Sequence, residues 1–147
     1  NLELYMTLKI LIVDDSGPMR AVIIKTIKAA GFGGAIFLEA QDGQQALKVL
    51  DQENVNLIMT DYNMPFMNGL ELVDRVKHDE KLKAIPIVAV TTDGNPRRII
   101  EFIEKGASDY IRKPFTPEVI SEKLKRILGD VDGRGNDSAE CNENFDF

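Results

Sequence analysis

Short apolar runs alternate with amphipathic segments five times between Met6 and Leu128, and that rhythm leaves the chain very few architectures. Runs near residues 8–13, 35–40, 57–61, 86–90 and 109–112 read as strands. Segments near 18–30, 43–51, 68–78, 96–105 and 117–128 repeat apolar residues at helical spacing. Pro18, Pro96 and Pro117 occupy first-turn positions, Asn95 and Thr116 precede two of them as caps, and Gly31 and Gly106 mark helix ends. Five strand–helix repeats with crossovers of this length predict an α/β fold, a doubly wound parallel sheet of five strands with five helices. Ile10–Val13, Leu57–Met59 and Ile87–Val90 are apolar throughout, as central strands covered on both faces require. The second and fifth runs are mixed and suit the edges. The flavodoxin-like order 2-1-3-4-5 meets both conditions, with its switch point between strands one and three.

Ionisable groups stand where three of these runs stop. Asp14 and Asp15 follow the first, Asp61 follows the third, Lys113 follows the fifth, and Thr91 ends the fourth. Ligands of an open parallel sheet bind at the carboxyl ends of its strands, so the fold would gather these residues in one crevice. Unpaired acids packed together repel; the cluster makes sense if a cation joins the carboxylates and the lysine faces an anion. A divalent metal with a phosphoryl group fits that description. Each position also has a plainer reading: Asp14, Asp15 and Asp61 as capping or turn acids, Thr91 as a strand-end hydroxyl satisfying backbone, Lys113-Pro114 as an ordinary loop.

Length and charge bound the remainder. At 147 residues the chain is one domain able to bury a core without staples. The single Cys141 can form no internal bridge, which suits a reducing cytoplasm, the expected location. The longest apolar stretches are about five residues, far short of the roughly 20 of a membrane span. Residues 6–129 carry 17 basic and 17 acidic side chains, so the net charge of −6 sits at the ends, and no basic stripe points to nucleic acid. Residues 1–5 read as an expression remnant, 6–129 as the folded domain, and 130–147 as an acidic polar tail without helical or strand period.

Five strings carry a resemblance. Val13-Asp-Asp-Ser16, Met59-Thr-Asp61, Met64-Pro65 with Asn68-Gly69, Val90-Thr91 and Tyr110-Ile-Arg-Lys-Pro-Phe115 fall in order at strand ends, and over residues 8–128 the chain resembles response-regulator receiver domains of the single-domain chemotaxis type. The resemblance implies that Asp61 is the phosphoacceptor, taking a phosphoryl group from a histidine kinase or a small donor such as acetyl phosphate. It implies Mg²⁺ held by Asp15, Asp61, the Asn63 carbonyl and waters, with Asp14 ligating through water. Lys113 and Thr91 would bind phosphoryl oxygens, and the Lys113–Pro114 peptide would be cis. Thr91 and Tyr110 would form a switch that remodels the face made by helix four, strand five and helix five, and Asn63 and Asp93 would tune dephosphorylation. Thr92 and Gly17-Pro18 depart from the commonest family pattern, the first adding bulk beside the switch threonine.

The implied function is a cytoplasmic two-component signalling protein, monomeric, with no enzymatic activity beyond its own phosphorylation and dephosphorylation. With little chain after the fifth helix, its output is expected through another protein: the flagellar motor switch in chemotaxis, or a histidine phosphotransfer domain in a phosphorelay. A Mg²⁺-dependent phosphatase with an aspartyl nucleophile is the alternative of another class. That chemistry places Asp-x-Asp after the first strand, where this chain has adjacent aspartates and no cap insertion. His78 is expected to be solvated surface, the paired Arg97-Arg98 a solvated helix face with a docking surface as the alternative, and Met59, Met64 and Met67 packing or loop residues.

Overall fold

A computed structural model of the chain describes residues 8–92 and 94–129; the expectations for both termini and for Asp93 lie outside the described residues. Five strands, β1 (Lys9–Val13), β2 (Ile36–Ala40), β3 (Leu57–Thr60), β4 (Ile87–Thr91) and β5 (Asp109–Arg112), form one parallel sheet in the order β2-β1-β3-β4-β5. Between and after them run α1 (Gly17–Ile27), α2 (Gly43–Gln52), α3 (Gly69–Lys77), α4 (Pro96–Lys105) and α5 (Pro117–Leu128). The expected topology is therefore present, and so is the assignment of edges. β1, β3 and β4 are buried almost throughout, while β2 and β5 keep exposed positions.

Alternation along the central strands builds two cores. Leu11, Val13, Ile58, Ile87 and Ala89 face α2, α3 and α4, meeting Leu50, Leu72, Val73, Val76 and Phe102. Ile10, Ile12, Leu57, Met59, Val88 and Val90 face α1 and α5, meeting Ile23, Ile27, Ile120 and Leu124. Period-two side chains on a doubly covered sheet give this division directly. Burying each such side chain contributes about 1.5–3 kcal/mol, so neither layer is dispensable.

Helix starts are fixed by local chemistry. Ser16, Asp42, Asn68, Asn95 and Thr116 each accept a backbone N–H of the first turn, and prolines follow three of them. The chain after α1 widens into one broad turn over Lys28–Phe32 before Gly31, at φ 110°, breaks it. Helix α3 carries a full capping box between Asn68 and Glu71. Its first residue, Gly69, presses on the backbone just past β3: a Cβ there would collide with the Asp61 carbonyl. A glycine is needed at that point because helix and strand end approach too closely for any side chain.

Candidate functional site

The parallel hydrogen-bond pattern continues one residue past the strands and fixes the site. The N–H of Asp14 donates to Ala40 O (3.1 Å), that of Asp61 to Val13 O (3.0 Å), and that of Lys113 to Thr91 O (2.8 Å). Residues far apart in sequence are thus held in one row at the carboxyl edge, across the β1/β3 switch point. Asp14, Asp15 and Asp61 each present a carboxylate oxygen, all within 4.8 Å of one another. The Lys113 ammonium reaches them from β5, 3.2 Å from Asp14 Oδ2 and 3.7 Å from Asp61 Oδ2, with side-chain exposures of only 9%, 3% and 16% for the three residues. The Lys113–Pro114 peptide is cis, as the resemblance implies.

One ammonium faces three carboxylates, and the imbalance shows in Asp61. Burial pushes its carboxyl group above the ordinary range; Lys113 and the Tyr62 N–H, 2.8 Å from Oδ1, pull it down, and the charges of Asp14 and Asp15 push it up again. Hard oxygen donors gathered around an uncompensated negative charge are the donor set that suits a small divalent cation. The acid trio therefore fits a metal ion of that kind.

The remaining predicted residues are distributed around this centre. Thr91 is buried at the end of β4, where its carbonyl holds the Lys113 N–H. Asn63 is exposed two residues past Asp61, and Thr92 is exposed beyond Thr91. Tyr110 is half-buried against the α2–α4 core, with the Lys123 ammonium 4.8 Å from its ring centroid. His78 is exposed at the C-terminus of α3, Met59 and Met64 are buried, and Met67 is half-buried. A pocket of about 310 Å³ lies at the opposite end of the sheet, lined by Asp51, Glu53, Val55, Asp79, Lys81 and Leu82 among others, and holds none of the candidate residues.

Arg98 differs from the expectation of a solvated face. It is half-buried, and its guanidinium lies 3.9 Å above the Tyr62 ring, which meets Phe102 edge-on at 5.8 Å. The pattern of α4 gives no hint of this, because the partner ring comes from another element. Arg20 was likewise missed: from α1 its Nη1 donates to the Asp14 carbonyl (2.6 Å) and its Nε to Glu39 Oε1 (2.7 Å).

A β2-β1-β3-β4-β5 sheet with an acid trio and a lysine at its carboxyl edge defines a receiver-type signalling domain, and the chain belongs to the response regulator receiver domain family, whose model matches residues 10–125. Its similarity is strong to chemotaxis proteins: it is 43% identical to a chemotaxis protein CheY homolog of Campylobacter jejuni over 87% of this chain and 98% of the relative. It is also 43% identical to the chemotaxis protein CheY1 of Helicobacter pylori, over 85% of this chain and all of that one. Among solved structures, the chemotaxis response regulator CheY4 of Vibrio cholerae superposes with a TM-score of 0.74 at 34% identity, over 83% of this chain and 99% of that one.

Proposed function

We propose that this protein is a chemotaxis response regulator that accepts a phosphoryl group on Asp61 and signals through altered binding to another protein. The observation that carries this reading is the Lys113 ammonium set between Asp14 and Asp61 inside an acid trio that still lacks positive charge. The chemotaxis assignment rests on the CheY relatives, which match over nearly their whole length.

A carboxylate oxygen of Asp61 attacks the phosphorus of the donor. The new P–O bond forms as the P–N bond of a phosphohistidine, or the P–O bond of an acyl phosphate, breaks, and the leaving group departs with the bonding pair. Oδ1 is held by the Tyr62 N–H, while Oδ2 is turned toward Lys113. The Lys113 ammonium neutralises one phosphoryl oxygen and the Thr91 hydroxyl donates to another, stabilising charge that grows during in-line transfer. Asp15, Asp61 and the Asn63 carbonyl, supported by Asp14, would hold Mg²⁺, which would supply further neutralisation of the transferring group. Asn63 and Asp93, two positions beyond Asp61 and Thr91 in the sequence, tune the lifetime of the aspartyl phosphate. Thr91 and Tyr110 carry occupancy of the site to the α4–β5–α5 face, which binds the output partner.

Incubation with Mg²⁺ and acetyl phosphate, followed by intact mass, tests the reading. A gain of one alkali-labile phosphoryl group in the wild type and none in Asp61→Asn is expected; labelling that survives in Asp61→Asn overturns it. Phosphorylation-dependent binding to a flagellar switch protein, rather than onward transfer to a histidine phosphotransfer domain, is expected for the chemotaxis role.

A further inference from the structure

The polar atoms of Asp14 are engaged one by one. Its N–H donates to Ala40 O, Oδ1 accepts the Ser16 N–H at 2.9 Å, Oδ2 faces Lys113, and its carbonyl accepts Arg20 Nη1 at 2.6 Å. The last contact differs from the others because it fixes the plane of the Asp14–Asp15 peptide, and so the direction in which the exposed Asp15 carboxylate leaves the backbone. Arg20 is held in turn by Glu39 Oε1 at 2.7 Å, and Glu39 pairs in register with Ile12 one residue before Ala40. Strand β2 thus grips the Asp14 turn twice, through Ala40 directly and through Glu39 by way of the guanidinium. With 14% of its side chain exposed, Arg20 spans that gap under cover, where a planar fork can serve two acceptors at once.

We infer that Arg20 and Glu39 form a positioning relay that orients the Asp14–Asp15 turn for divalent-metal binding. The inference rests on the proposed Mg²⁺ site and adds two residues that contact neither metal nor phosphoryl group. Outer partners of metal ligands typically change affinity by about 10–100-fold when lost.

The sign of the effect makes the relay testable. As a mere positive charge beside an acid cluster, Arg20 would weaken cation binding, and Arg20→Ala would tighten it. As a positioning residue its loss weakens binding. Amide chemical shifts of the full chain, titrated with MgCl₂, give the affinity directly, and thermal melts confirm that each variant is folded. Arg20→Ala is expected to bind Mg²⁺ about tenfold more weakly. Arg20→Lys keeps the charge but not the fork, and is expected to bind several-fold more weakly.

Glu39→Gln and Glu39→Ala offer a second, milder pair at an exposed strand position. Gln retains an acceptor for Nε, so it should bind more tightly than Ala, whereas a pure charge effect makes the two equal. Unchanged or tightened binding in Arg20→Ala, or equal affinities in the Glu39 pair, overturns the relay while leaving the metal reading intact. Wild-type protein without saturable Mg²⁺ shifts overturns both.

Discussion

Asp61 is the residue on which the chemistry and the stability of the site pull against each other. Its carboxyl group holds a proton more tightly in the folded chain than in the unfolded one, chiefly through burial. A raised carboxyl value contributes stability that is full below about pH 4 and is lost as pH rises through the folded value. At neutral pH without metal its charge therefore works against folding. Asp61→Asn is expected to stabilise the metal-free protein at pH 7, with the gain shrinking toward pH 4; urea midpoints in EDTA at the two pH values check it. Phe66 is a second residue with a cost. It stands 83% exposed at φ 68° in the loop after Asp61, a left-handed conformation that a bulky side chain adopts unwillingly. Phe66→Gly should raise stability by up to about 1 kcal/mol, read from the same midpoints.

At the scale of elements, α3 and α4 are tied to the loop that follows β3, each by a different device. The capping box of Asn68 and Glu71 starts α3 against Asp61, so Asn68→Ala should cost about 1 kcal/mol. Gly69→Ala should cost more, about 1–3 kcal/mol, because the added carbon meets backbone rather than a side chain able to move. Thermal unfolding of the two variants ranks them. Helix α4 is bound by the layer of Arg98, Tyr62 and Phe102, in which the residue whose N–H supports Asp61 also carries the ring that α4 grips. Phe102 is fully buried, and Arg98 takes its place from a ring 36 positions earlier in the chain.

Over the whole molecule, binding of the proposed metal would be linked to folding. A ligand taken only by the folded state stabilises it by about 2.7 kcal/mol at 100 times its dissociation constant. MgCl₂ is therefore expected to raise the melting temperature of the wild type saturably, and Asp15→Ala to lose most of that rise; equal rises in both would remove Asp15 from the ligand set. Strand count, order, edges, helix starts and the gathering of Asp14, Asp15, Asp61, Thr91 and Lys113 at one crevice were all legible beforehand. Each follows from side-chain period, a cap or the place where an apolar run stops, which are properties of neighbouring residues.

The relations that bridge elements were not legible. Lys113 lies 3.2 Å from an aspartate 99 positions away, Arg20 reaches Glu39 on an edge strand, and the Arg112 guanidinium covers Gly94 so closely that a Cβ there would meet it at 2.8 Å. Amino-acid pattern alone thus specified which residues stand at the crevice and which strands lie at the centre and edges of the sheet, because periodicity is written locally. Which cation faces which carboxylate, and which ring a guanidinium covers, depended on how rotamers from separate elements fit once the sheet and its two helical layers had come together.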